Sequence, residues 1–210
     1  MSKANALYKK GEYAKAVEEY TEFIKESPGN QNGYFFRASS KYNMKDFKGA
    51  EEDYSKVIEL SPKNSFAFIS RGSARYNLGK YEDAIKDFSY SLKLSPNDPE
   101  AYNNRAYTEA AAGDYKSAIK DYSKAIELSP QNVVVYYNRA VAKDSAKDYK
   151  GAIEDYSVVI GLNPTFGKNY LERGILYSKL RKNKSACADW LKADSLGVKE
   201  AAALLKQYCR

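Results

Sequence analysis

Large apolar, small and polar residues return in one fixed order along almost the whole chain. Pro28, Pro62, Pro96, Pro130 and Pro164 mark the interval, each 34 residues from the last. With Gln31–Asn64 taken as one unit, the next are Ser65–Asp98, Pro99–Asn132, Val133–Phe166 and Gly167–Glu200, and Met1–Asn30 is a partial unit before them. Rings stand at the fourth position, in Tyr34, Phe68, Tyr102, Tyr136 and Tyr170. The eighth is small throughout: Ala4, Ala38, Gly72, Ala106, Ala140 and Gly174. Rings return at the seventeenth in Tyr13, Phe47, Tyr81, Tyr115 and Tyr149, with Asn183 breaking the column. The twentieth is always Ala, from Ala16 to Ala186, and the twenty-fourth is Tyr20, Tyr54, Phe88, Tyr122, Tyr156 or Trp190.

This spacing predicts two helices per unit. The fourth and eighth positions lie one turn apart on one helix face. Small residues at positions eight and twenty let two backbones approach, and the rings fill the spaces beside them. Gly-x-Tyr segments such as Gly79-Lys80-Tyr81 separate the helices, and Leu-Ser-Pro segments such as Leu60-Ser61-Pro62 end the second. Proline disfavours the helical conformation of the residue before it. Helices this short are marginal alone in water, so stacking must supply their burial. A period of this length is the mark of a stacked-repeat protein.

The columns resemble those of the tetratricopeptide repeat family, most closely in Tyr-x-x-Arg-Ala…Asp-Tyr-x-x-Ala-Ile-x-x-Tyr…Pro from Tyr102 to Pro130 and again from Tyr136 to Pro164. The resemblance implies an all-α, right-handed solenoid of helix-turn-helix repeats forming one domain over residues 1–210. Its first helices are expected to line a concave groove that holds another protein. Two departures stand out. The family's aromatic at position eleven is replaced by Lys41, Arg75, Glu109 and Lys143. Val198 replaces the proline of the last unit, and residues 198–210 read as a capping helix, as solenoid ends require.

Composition narrows the function. The 210 residues include 43% hydrophobic residues, enough for one shared core, and no apolar run is long enough to span a membrane. Histidine is absent, which removes the commonest general base. Two cysteines 22 apart make no zinc or redox motif, and no glycine-rich phosphate loop follows a strand. These features point to a non-catalytic module without cofactor or metal, whose partner is a protein or peptide. The runner-up is an assembly or oligomerisation scaffold working through its ends or convex face.

A cation and an acid also recur. Position seven carries Arg37, Arg71, Arg105, Arg139 and Arg173, with Lys3 in the first unit; position twenty-three carries Glu19, Asp53, Asp87, Asp121, Asp155 and Asp189. Both columns flank buried rings, so a ladder of ion pairs between helices is expected. The alternative is that these arginines bind a ligand.

Net charge is +7, and residues 167–210 hold 10 basic against 4 acidic residues. Lys179, Arg181, Lys182 and Lys184 gather between the last unit's helices. They form either a solvated end or a docking patch, with an acidic partner as one candidate. Nucleic acid is not expected as the main partner, because the basic residues form no stripe along the groove. Met1–Lys10 reads as the first helix rather than a signal peptide. Cys187 and Cys209 are equidistant from Gly197, where the chain turns, so an antiparallel hairpin would let them form a disulfide or leave two space-filling thiols. The chain reads as cytoplasmic as it stands, and as secreted or periplasmic if a leader was removed and the pair is oxidised.

Groove candidates follow from helix-face arithmetic. They are Phe35, Phe36, Phe66 and Ile69 in the early units, with Tyr42 and Tyr76, then Asn103, Asn104, Tyr107, Tyr137 and Asn138. Family members that clamp a peptide carboxylate use lysine, asparagine, asparagine, lysine and arginine, in that order, at positions held here by Phe35, Ser39, Ser70, Glu100 and Asn104, or by Ile69, Ser73, Asn104, Val134 and Asn138. Without those cations the groove is expected to suit an uncharged, extended or helical segment, or else its residues only tighten packing between adjacent first helices.

Overall fold

The structure, a computed structural model, describes residues 1–209, and over these it contains thirteen helices and no strand. It divides into two compact units, residues 1–112 and residues 113–210. The first holds α1 (Ser2–Lys9), α2 (Tyr13–Glu26), α3 (Gln31–Asn43), α4 (Phe47–Leu60), α5 (Ser65–Asn77), α6 (Tyr81–Leu94) and α7 (Pro99–Ala111). The second holds α8 (Tyr115–Leu128), α9 (Val133–Ser145), α10 (Tyr149–Leu162), α11 (Gly167–Lys179), α12 (Asn183–Ser195) and α13 (Lys199–Tyr208). Arg210, where the sequence puts the end of the capping helix, lies outside the described residues.

Side-chain chemistry sets these boundaries. Asn30, Asn64, Asp98 and Asn132 cap first helices, each accepting hydrogen bonds from backbone N–H groups of the opening turn. Asp46, Asp114 and Asp148 cap second helices in the same way. Those N–H groups have no partner within the helix, so a capping oxygen contributes about 1 kcal/mol. Between the helices of a pair the chain passes through a left-handed residue. Gly79 (φ 73°) and Gly113 (φ 88°) adopt it freely, whereas Lys45 (φ 63°) and Lys147 (φ 65°) accept strain in the same register.

Within each unit every helix packs on the next in sequence. In the first unit α3, α5 and α7 also lie side by side, so consecutive first helices share a face. The buried columns form the core. Ala4, Ala16 and Tyr20 cluster together, as do Ala38, Ala50 and Tyr54, and likewise Ala140, Ala152 and Tyr156. Glycine replaces alanine at position eight where the facing ring is not tyrosine. A Cβ at Gly72 would come within 2.9 Å of Phe88, and one at Gly174 within 2.5 Å of Trp190.

The last helix, α13, occupies the place of a first helix in the repeat. Ala201 is buried with Leu171, Ala186, Trp190 and Ala193, and Val198, Leu204 and Leu205 pack against this group. Cys187 and Cys209 are joined in a disulfide, their Cα atoms 5.8 Å apart, which fastens the end of α13 to α12.

Candidate functional site

The recurrent cations and acids form tight pairs. Arg37 meets Asp53 at 2.6 Å, Arg71 meets Asp87 at 2.7 Å, Arg139 meets Asp155 at 2.6 Å and Arg173 meets Asp189 at 2.7 Å. Each guanidinium donates through Nε and Nη2 to both carboxylate oxygens, the two-pronged geometry that suits arginine. The aspartates are buried. These hydrogen bonds push the Arg37 and Arg173 values up, outweighing the opposing effect of burial. Each arginine also lies over its own unit's fourth-position ring, at 5.6 Å for Arg37 over Tyr34 and 5.7 Å for Arg139 over Tyr136. In the first repeat the pair is Lys3 with Glu19, at 2.6 Å, the lysine exposed and the glutamate half-buried. Arg105 lies 4.0 Å from Glu109 and over Tyr102, and Asp121, in the second unit, is buried.

Two further columns complete the ladder. Arginine Nη1 donates to a hydroxyl of the preceding repeat: Arg37 to Thr21, Arg71 to Ser55, Arg105 to Ser89, Arg139 to Ser123 and Arg173 to Ser157. Three of the four charges that replace the family's aromatic at position eleven are cations, and these reach the same carboxylates. Lys41 meets Asp53 at 2.8 Å, Arg75 meets Asp87 at 2.9 Å and Lys143 meets Asp155 at 2.9 Å. Arg75 and Lys80 in turn hold Glu51. The hydroxyl column at residues 21, 55, 89, 123 and 157 was readable from its period alone.

The groove candidates separate by exposure. Phe66 is 68% exposed, Tyr107 48% and Tyr137 37%, whereas Ile69 is buried against Phe88 in the core. Phe35 and Phe36 are half-buried; Phe35 meets Tyr54 edge to face and Phe36 stacks on Tyr20, both rings belonging to neighbouring second helices. Asn103 is half-buried, with its Oδ1 turned inward. Asn104 and Asn138 are half-buried, and among the described residues no hydrogen bond ties down either side-chain amide.

In the first unit the shared face of α3, α5 and α7 contains a cavity of about 300 Å³, lined by Tyr42, Ser73, Tyr76, Asn104, Tyr107 and Thr108 among others. A second hollow of about 190 Å³ lies beside Tyr42, Tyr54, Ile69 and Glu100. The hydroxyl of Tyr42 accepts a hydrogen bond from Asn77 at 3.0 Å, and Tyr8 stands in the same relation to Asn43 at 3.5 Å. Burial first, then the neighbouring Tyr107 hydroxyl, pushes the Tyr76 phenol up to about 12. It stays neutral at physiological pH, so the 300 Å³ cavity offers rings, hydroxyls and amides without a formal charge.

The second unit treats the same positions differently. Asp144 and Lys179, in the register of Tyr42 and Asn77, form an ion pair at 2.6 Å. On α9, Val134, Tyr137 and Val141 are exposed along one face. Glu172 is half-buried nearby on α11; burial first, and then Asp144, pushes its carboxyl up, against the opposing pull of Lys179 and Lys168. Among the described residues no cluster of three or more His, Cys, Asp or Glu could hold a metal ion, and no helix is long and apolar enough to cross a membrane.

Stacked helix pairs bearing these columns define a class of protein, and comparison with known proteins places the chain in it. A tetratricopeptide repeat family model matches residues 1–65 and 69–133, more than half of the sequence, and the chain belongs to that family. Among solved structures it is similar to the protein MamA, with 26% identity, TM-score 0.75, 82% of this chain and 94% of that one covered. It also resembles YrrB, described as a TPR protein with an unusual peptide-binding site, at 17% identity and TM-score 0.77, covering 91% of this chain and 99% of that one. The C-terminal part of a TPR repeat-containing protein from Cytophaga hutchinsonii matches at 20% identity and TM-score 0.83, covering 93% of this chain and 78% of that one. No curated protein matches. The fold is that of a protein–protein interaction module.

Proposed function

We propose that this protein is a non-catalytic module that holds an uncharged, extended or helical segment of a partner protein against the inner faces of its first helices. The observation that carries this reading is the cavity bounded by Tyr42, Tyr76, Asn104 and Tyr107, which combines aromatic surface with the Asn104 side-chain amide, held by no hydrogen bond among the described residues, and no formal charge. Rings receive apolar side chains, while the Asn104 amide donates to and accepts from a peptide backbone. Asn138 beside Tyr137 supplies the same pairing in the second unit. YrrB, which shares this fold, is described as having an unusual peptide-binding site, in keeping with this reading.

The test is an Asn104→Ala, Asn138→Ala double variant assayed against a partner purified by pull-down with the wild-type chain. Weakened binding with unchanged melting temperature supports the groove. Unchanged affinity and unchanged melting temperature would move the function to another surface.

The Cys187–Cys209 disulfide favours an oxidising compartment in the same reading. Intact mass with and without reductant, on protein recovered from its native source, decides between the bond and two thiols.

A further inference from the structure

The C-terminal hairpin carries a depression of about 570 Å³ that neither the ion-pair ladder nor the groove uses. Lys184, Ala188 and Leu191 of α12 line one side, and Tyr208 and Cys209 at the end of α13 line the other. Leu191 breaks a column. The equivalent residues in the earlier repeats are Thr21, Ser55, Ser89, Ser123 and Ser157, each accepting a hydrogen bond from the next repeat's arginine. At residue 191 the hydroxyl is replaced by an apolar side chain that stays 59% exposed, and Gln207 stands where the partner arginine would be. Tyr208 breaks a second column. It falls at position eight, where every other repeat has Ala or Gly, and it is 49% exposed while its ring lies tilted against Trp190 at 5.8 Å between centroids. Two column breaks thus place two large apolar groups in one depression.

The surrounding charge indicates what fits there. Residues 179–209 include seven basic and three acidic residues, and one of the acids, Asp189, is buried against Arg173. Arg181, Lys182 and Lys184 are exposed around the start of α12. We propose that this depression docks an acidic segment of a partner protein, anchored by one large apolar side chain between Leu191 and Tyr208. Leucine and tyrosine supply contact area, and the lysines steer the acidic flanks and fix their register. A nucleic acid would use the charge and leave Leu191 without a partner; an anionic membrane, which would take both the lysines and an inserted apolar side chain, is distinguished by the test.

The test uses the full chain and two fluorescein-labelled peptides rich in Asp and Glu, one with a central Leu-Phe pair and one with Ser-Gly in its place. Anisotropy should show salt-sensitive binding of the first and at least about tenfold weaker binding of the second. Leu191→Ser and the Lys182→Glu, Lys184→Glu double variant should each weaken the first peptide by a similar factor, with circular dichroism melting unchanged. Asn104→Ala, Asn138→Ala should leave it unaffected, which separates this site from the groove. Equal binding of both peptides, no effect of Leu191→Ser, or no peptide binding at all overturns the proposal. So does Leu191-dependent binding seen only with phosphatidylserine vesicles.

Discussion

The inner faces of the two units make one link with opposite chemistry. In the first unit Tyr42 accepts a hydrogen bond from Asn77; in the second, at the same register, Asp144 holds Lys179 as an ion pair. Around Tyr42 the cavity walls are rings, hydroxyls and amides, whereas beside the Asp144–Lys179 ion pair stands a half-buried carboxyl, Glu172, whose charged form is disfavoured by burial first and then by Asp144. The buried columns beneath barely change, since Ala38 with Tyr54 and Ala140 with Tyr156 are the same pair repeated. The buried columns that build the stack and the chemistry presented on its faces therefore rest on separate sets of positions.

The sharpest way to break this separation is to attack a buried rung and an exposed one in parallel. Asp155→Ala strands Arg139 and Lys143 with little access to water, and should cost about 3–5 kcal/mol in chemical denaturation. Glu19→Ala breaks the pair with the exposed Lys3 and should cost less than about 1 kcal/mol. Equal costs would mean that the repeats do not share one ladder.

The glycine column should give the next largest effect. Gly174→Ala drives a methyl group into the Trp190 indole, and overpacking of this kind costs about 1–3 kcal/mol, partly offset by alanine's better helix propensity. The reverse change, Ala140→Gly, relieves no clash and should lose only the propensity of about 1 kcal/mol with a small cavity term.

The smallest effect concerns Glu172. Its folded-state value is raised, so the folded chain holds a proton there that the unfolded chain releases. Stability should fall as pH rises from the ordinary carboxylate range through that raised value, then level off. Thermal unfolding of Glu172→Gln against pH should lack this decline.

The repeat was legible because buried residues obey one period: prolines closed the second helices, and the paired rings and small residues located both backbones. The arginine–aspartate pairs were legible for the same reason, as neighbours of buried columns. Helix-face arithmetic did less well on the groove. It treats each first helix as an isolated cylinder, and cannot register that Tyr20 and Tyr54 of adjacent second helices reach round to cover Phe36 and Phe35, or that Ile69 sinks onto Phe88. The aromatics missing from position eleven read as a departure from the family pattern, and their purpose emerged only when Lys41, Arg75 and Lys143 met the ladder carboxylates.

The central claim, that a partner lies against the first helices, is tested most directly by placing the photoreactive residue p-benzoylphenylalanine at Tyr107 on α7 and, separately, at Val158 on the second helix α10. Both side chains are exposed. Irradiation with purified partner should give a crosslinked product from position 107 and none from 158. A crosslink from position 158 alone would contradict the account.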